Sequence, residues 1–239
     1  MKFQGVFVTG TDTGVGKTTV SCGIAAALRR RNVEVGVYKP AETGCRRDQD
    51  GRLLPADAAR LKYFSATAMS LSGVCPYALS EPLAPSVAAE RDSVSIELST
   101  LVDGYSRIVA THDITLVEGA GGLLVPLTAA LTYADLAKHL SIPILVIVGS
   151  RLGCINHALL TAQHARSIGL TVLGYVVNHF LPELDVAMQT NERVLEHWLG
   201  KPLATVPYFG NVECTESDRE RLAEWFGDHM RLEALLEVR

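Results

Sequence analysis

Near the start of the chain, in "VTGTDTGVGKTTV" (residues 8–20), Gly14, Gly16, Lys17 and Thr18 have the spacing by which a glycine-rich turn hands over to a helix. Such a turn points backbone N–H groups at an anion, and the positive end of the following helix adds to their field. Lys17 would reach the β- and γ-phosphates of a nucleotide, and Thr18 would offer its hydroxyl to Mg2+. The loop that would wrap the phosphates comprises Asp12, Thr13, Gly14, Val15, Gly16, Lys17, Thr18 and Thr19. Gly10 lies one residue too early for GxxxxGK[ST], and Thr11 stands where that glycine is expected. The motif implies nucleotide binding and leaves the reaction open.

Four further residues could complete such a site. Lys39, in "VYKPAETG", is either a solvated charge or a cation that stabilises negative charge on a substrate approaching the γ-phosphate. Thr43 in the same stretch either makes a local turn contact or orients that substrate. Asp57, in "LPADAARL", either starts a helix or binds Mg2+. Glu118 ends the apolar run of "ITLVEGAGGLLVPL", the Walker-B arrangement for Mg2+, with Gly119, Gly121 and Gly122 letting the backbone approach a ligand. The other reading of Glu118 is a carboxylate that caps the helix at Tyr133.

These residues need a frame, and the apolar pattern supplies one. Six short runs, "GVFVTG", "VEVGVYKP", "ITLVEG", "IPILVIVG", "VLGYVVNH" and "PLATVPY", are continuously apolar, as strands covered on both faces should be. Helical patterns lie between them at Thr18–Arg31, Ile96–Ala110, Tyr133–Leu140, Ala158–Ile168 and Leu184–Leu199. The alternation predicts an α/β P-loop fold, a doubly wound, mostly parallel sheet with helices on both faces. Ligands of such sheets gather at the carboxyl ends of the strands, where the residues above fall.

Composition excludes several classes. The 239 residues, 48% hydrophobic and 20% charged, can bury one sizeable core, and no linker divides residues 1–239, so a single domain is expected. A net charge of -4 and the lack of a basic cluster argue against nucleic acid. No apolar run is long enough to span a bilayer and no leader is evident, so the expectation is a cytoplasmic protein with no membrane role. Five cysteines, Cys22, Cys45, Cys75, Cys154 and Cys214, are widely spaced without a CxxC pair, so neither a disulfide framework nor a zinc site is expected.

The motifs "GTDTGVGKT", "YKP", "PY" then "EPLAP", "VEGAGG" and "LGCINHALLTAQ" occur here in an order that resembles the dethiobiotin synthetases, over about Val6 to Asn211. The resemblance implies a homodimeric ligase that joins CO2 to 7,8-diaminononanoate with ATP and Mg2+, releasing dethiobiotin, ADP and phosphate. It implies that one amine takes up CO2 as a carbamate, that the carbamate attacks the γ-phosphate, and that the second amine closes the ureido ring. Lys17, Lys39 and Thr43 would be catalytic, and Thr18, Asp57 and Glu118 would hold Mg2+. Asn178 would pair with the adenine edge, or else merely form a turn, and Pro207, Tyr208 and Phe209 would complete the base pocket. Glu118 and Gly121 would also meet the nucleotide. The diamine would touch Thr13, Lys39 and Thr43. Its carboxylate would sit on the helix N-terminus of Gly153, Cys154, Ile155 and Asn156, supplied by the partner subunit so that active sites are shared. An ordinary Asn-capped helix is the alternative there.

Some residues depart from that family pattern. Thr43 stands where Ser is more usual, and the helix at Leu184–Leu199 lacks the Tyr that reaches the partner's substrate. Thr215–Arg239 extends beyond the resemblance and reads as a solvated helix covering an edge of the core. Of the rival readings, a partition-type switch ATPase would carry a second lysine at the position of Asp12. An amidoligase of the cobyrinate type would need a glutaminase domain that this length cannot hold.

Overall fold

The computed structural model describes residues 4–183 and 185–236. The expected helix start at Leu184, and the ends of the chain at Met1 and Arg239, lie outside the described residues.

All six apolar runs form strands: β1 (Gly5–Gly10), β2 (Val35–Tyr38), β3 (Ile114–Gly122), β4 (Ile144–Gly149), β5 (Val172–Asn178) and β6 (Ala204–Val206). They make one parallel sheet in the order β6-β5-β4-β1-β3-β2, with β1 between β3 and β4. Successive residues of each strand enter opposite cores, as the two-residue period requires. Val6 and Val8 face one side, with Leu116, Leu145 and Ile147; Phe7 faces the other, with Val117, Ile144 and Val146.

The helices divide between these two faces. On the Val6 side lie α1 (Lys17–Arg30) and α2 (Ala56–Ser65). On the Phe7 side lie α3 (Pro85–Arg91), α4 (Leu98–Val109), α5 (Tyr133–His139), α6 (Cys154–Ser167) and α7 (Val186–Leu199). The start of α7 is fixed by Asp185, whose carboxylate accepts a hydrogen bond from Met188 N at 2.7 Å. The start of α6 is at Cys154 rather than Ala158, because Gly153, at φ 91, takes the left-handed turn that admits "CIN" into the helix. The sequence pattern did not single out α2 and α3, although Asp57 was read as a helix start. Among the described residues no helix is long and apolar enough to cross a membrane.

The tail differs from expectation. The helix α8 (Glu216–His229) does not merely cover an edge: it buries Leu222, Ala223 and Phe226 in the Val6-side core against α1. A Cβ added at Gly23 of α1 would lie 2.1 Å from the Phe226 ring, so the ring occupies the room that glycine leaves. Three buried residues at i, i+1 and i+4 suffice for this contact, and the charged remainder hid it in the sequence. Replacing a fully buried aromatic ring by Ala costs about 3–5 kcal/mol, which sets the expectation for Phe226→Ala in urea unfolding. A loss below about 1 kcal/mol would show that α8 merely rests on the core.

Candidate active site

The turn after β1 is shaped by two glycines in the left-handed region, Gly14 at φ 74 and Gly16 at φ 88. Gly16 is the N-cap of α1 and brings no side-chain acceptor, which leaves the first amides of the helix for an anion. Behind the loop stands Asn178, at the carboxyl end of β5, whose Nδ2 donates to Val15 O at 2.8 Å. A Cβ on Gly16 would lie 2.1 Å from that same nitrogen, so the glycine is also required by close approach. Asn178 therefore supports the loop from beneath, and its Oδ1 and second N–H remain for another partner. Asp12, outside the cleft, forms an ion pair with Arg151 and accepts from Thr13 N at 2.7 Å.

Strand register brings the charged residues together. Tyr38 pairs with Val117 and Val8 with Glu118, so Lys39 leaves β2 directly beside the Glu118 carboxylate. Lys39 Nζ donates to Glu118 Oε1 at 2.7 Å and to Asp57 Oδ2 at 3.2 Å, and Thr18 Oγ1 donates to Glu118 Oε1 at 2.8 Å. Lys39 is thus no solvated charge. Glu118 lies within β3, which runs on to Gly122 instead of closing at the acid, and the carboxylate is wholly buried. It does not cap the helix at Tyr133, where Thr132 and Asp135 form a capping box. Asp57 lies in the first turn of α2 and turns to Lys39, while Pro55 holds the N-cap position.

Burial and charge set the ionisation of these groups. Burial alone would lower the Lys39 ammonium, but Glu118 and Asp57 outweigh it and hold Lys39 above the ordinary lysine range. Burial lowers Lys17 to about 8, a shift that Glu118 opposes and Lys39 reinforces. Burial works against the Asp57 carboxylate, yet Lys39 keeps its pKa below the usual value.

Glu118 Oε2 is buried and has no hydrogen-bond partner. An unsatisfied buried carboxylate oxygen is costly, and a hard cation would satisfy it. Among the described residues no group of three His, Cys, Asp or Glu could hold a metal by itself. That fits Mg2+, which takes one or two carboxylates and completes its shell with phosphate oxygens and water.

Lys17, Thr18, Lys39 and Asp57 border a cleft of about 570 Å³, and Glu118 lies wholly buried behind them, outside its lining. Of the expected residues the cleft brings together Thr13, Gly14, Gly16, Lys17, Thr18, Thr19, Lys39, Thr43, Asp57 and Gly121. Pro207, Tyr208 and Phe209 do not border it, but they leave β6 beside Asn178, with which Val206 is paired. The Phe209 ring is held against Trp225 and Phe226, with Arg221 over it, within an aromatic cluster. Gly153, Cys154, Ile155 and Asn156 also lie off the cleft. There the cap is Gly153 and not an Asn; the Cys154 side chain is buried and Asn156 is exposed.

A family model described as an AAA domain matches residues 4–216. The chain is 40% identical over 203 residues to the ATP-dependent dethiobiotin synthetase BioD of Bacillus licheniformis, covering 85% of each protein. It is 36% identical over 234 residues to the same-named protein of Bacillus subtilis, covering 98% of this chain and 97% of the relative. The chain belongs to the ATP-dependent dethiobiotin synthetase family. In fold alone the chain resembles the MinC:MinD cell division protein complex of Aquifex aeolicus, at TM-score 0.57 and 12% identity over 98% of this chain and 95% of that one. A second likeness is to septum site-determining protein MinD with Mg-ADP from Pyrococcus horikoshii, at TM-score 0.54 and 14% identity over 98% of this chain and 94% of that one.

Glu42 also borders the cleft, although no motif in the sequence marks it. Glu42 is buried, and its two oxygens accept from Asp57 N and Ala58 N at 2.9 Å each. It caps α2 from a distant strand, in place of the side-chain cap that Pro55 cannot supply, and so fixes the turn that carries Asp57. Burial and the Asp57 charge raise the Glu42 carboxyl, while the two N–H donors oppose that shift. The available signal was a helix opening on Pro55 with no Ser, Thr, Asp or Asn before it, which must find its acceptor elsewhere. By comparison with lost N-caps, Glu42→Ala should cost about 0.5–2 kcal/mol in thermal unfolding, with Glu42→Gln recovering part of it. Equal stability of wild type and Glu42→Ala would show that the contact carries no weight.

Proposed function

We propose that the chain is an ATP- and Mg2+-dependent dethiobiotin synthetase, a single-domain cytoplasmic enzyme that works as a homodimer. It would close the ureido ring of dethiobiotin from 7,8-diaminononanoate and CO2. The observation that supports the reading is the pairing of Lys39 with Glu118 beside the phosphate loop, because a lysine held protonated there would offset the repulsion between two anions.

The chemistry follows from that cation. One diamine nitrogen adds to CO2 and loses a proton, which gives a carbamate. A carbamate oxygen then attacks the γ-phosphorus as the bond to the β-phosphate oxygen breaks and ADP leaves. The second amine adds to the carbonyl of this mixed anhydride, phosphate departs and the amine proton is released. Lys39 reduces the repulsion between carbamate and triphosphate; being held protonated, it acts as a fixed charge and not as a base. Lys17 neutralises the β- and γ-phosphates, and Thr43 orients the carbamate from the cleft wall. The Gly16 cap leaves α1 amides free to receive the phosphates. Thr18, Asp57 and Glu118 would hold Mg2+, which supplies charge neutralisation on the phosphate oxygens.

The nucleotide base would lie over Asn178 and the segment from Pro207 to Phe209, and the free Oδ1 of Asn178 supports an adenine contact. The diamine carboxylate would be taken by the N-terminus of α6 from the partner, led by Gly153 to Asn156. That these residues lie off their own chain's cleft supports sharing of the sites. No Tyr on α7 is available for the partner's substrate.

ADP release should require both diamine and bicarbonate; release at the full rate from ATP alone would point to a switch ATPase and overturn the proposal. Lys39→Gln keeps hydrogen-bonding capacity and removes the charge. It should spare ATP affinity and lower kcat on the order of a hundredfold, as loss of one transition-state contact does. Weakened affinity with unchanged kcat would count against the role. Glu118→Gln should raise the Mg2+ concentration needed for half-maximal rate, and an unchanged requirement would remove Glu118 from the metal set. When Lys39→Gln and Gly153→Phe proteins exchange subunits, one site in each mixed dimer should carry neither defect, so activity should reappear. Mixed dimers without recovered activity would sink the shared site.

A further inference from the structure

Arg60 has no hydrogen-bond partner in the charge network just described, although its charge reaches Asp57. It lies on α2 one turn beyond Asp57, the spacing that puts two side chains on one helix face, and it borders the cleft with Thr18, Thr19 and Asp57. Several other arginines of the chain are engaged, among them Arg31 with Glu233, Arg151 with Asp12, Arg219 with Glu216 and Arg221 with Asp218. Among the described residues Arg60 makes no hydrogen bond or ion pair, and its Nε is buried without an acceptor.

A buried N–H left without a partner is a cost that an acceptor entering the cleft would remove. An anion suits this donor best, because the guanidinium is a cation that only donates. Its shape is also set: Nε–H and a neighbouring Nη–H point the same way and match two oxygens of one phosphate group. Both lysines already have partners within the chain: Lys39 is tied to Glu118 and Asp57, and Lys17 Nζ donates to Asp12 O at 3.3 Å.

We propose that Arg60 is a third phosphate-binding cation, which grips a phosphate group of the nucleotide from the α2 side through Nε and Nη. The inference rests on the reading of the cleft as the nucleotide site. It assigns to α2 two functions on one face, metal ligation by Asp57 and phosphate binding by Arg60. A lysine at position 60 would keep the charge and lose the fork.

The test is calorimetric titration of ATP and of ADP, with Mg2+, into wild type, Arg60→Gln and Arg60→Lys, beside thermal melting of each protein without nucleotide. Arg60→Gln should bind ATP about tenfold or more weakly, as loss of a bidentate charged contact implies, with Arg60→Lys recovering only part. Melting of the nucleotide-free variants should be unchanged or higher, because the unpartnered donor is gone. Weakening of ATP and ADP alike would put the contact on the α- or β-phosphate, and weakening of ATP alone on the γ-phosphate. Unchanged affinity in Arg60→Gln would overturn the inference, as would a fall in nucleotide-free melting temperature for both variants alongside weaker binding, which marks a structural role. Wild type that fails to bind ATP would overturn the functional reading and this inference with it. Wild type that binds ATP no better than Arg60→Gln would remove Arg60 alone.

Discussion

A carboxylate buried without water must be compensated where it lies, and the centre of this structure is built around that constraint at Glu118. Lys39 supplies the opposite charge at 2.7 Å and Thr18 a hydroxyl at 2.8 Å, both to the same oxygen. Taking either charge out of water is expensive, and good geometry is needed to recover it. The geometry comes from the sheet: β3 lies between β1 and β2, so Glu118 meets both the helix that follows β1 and the residue that follows β2. A register slip of one residue would turn Glu118 to the other face of β3 and strand the Lys39 charge. The position of β1 between β3 and β4 thus decides where charge can be concentrated.

Around this pair the remaining parts are supports. Asn178 props the phosphate loop through Val15 O, and the missing side chain at Gly16 lets it come close enough to do so. Glu42 anchors the start of α2, which presents Asp57 to Lys39. The same helix buries Ala58, Leu61 and Phe64 in the Val6-side core, so the position of Asp57 is fixed from below by packing and at its end by hydrogen bonds. α8 closes that core over α1 with Phe226 and holds Phe209 in an aromatic cluster.

The elements bearing chemistry were the most legible ones. Runs such as "ILVIVG" have no polar face, so they must be strands covered on both sides, and the candidate residues were sought at their carboxyl ends for that reason. Gly16, Lys17 and Thr18 are adjacent in the chain, so their cooperation is local and readable. α8 was harder, because its few buried residues are diluted among charges, and what they bury against is a glycine on a distant helix.

By itself the sequence determined the fold class, the phosphate loop and the candidate set Lys39, Thr43, Asp57 and Glu118, because strand periodicity and contiguous motifs are short-range properties of the chain. Tertiary structure alone decided the partners of those residues. Lys39 could have been a solvated charge until β2 was placed beside β3, and Glu118 could have been a helix cap until its Oε2 proved to be buried without a partner. Glu42 and Arg60 acquire meaning only through residues far from them in the chain or through the cleft that those residues enclose. The physical reason is common to all of these: burial, register and hydrogen-bond satisfaction are properties of surroundings, and surroundings are assembled only when distant segments pack.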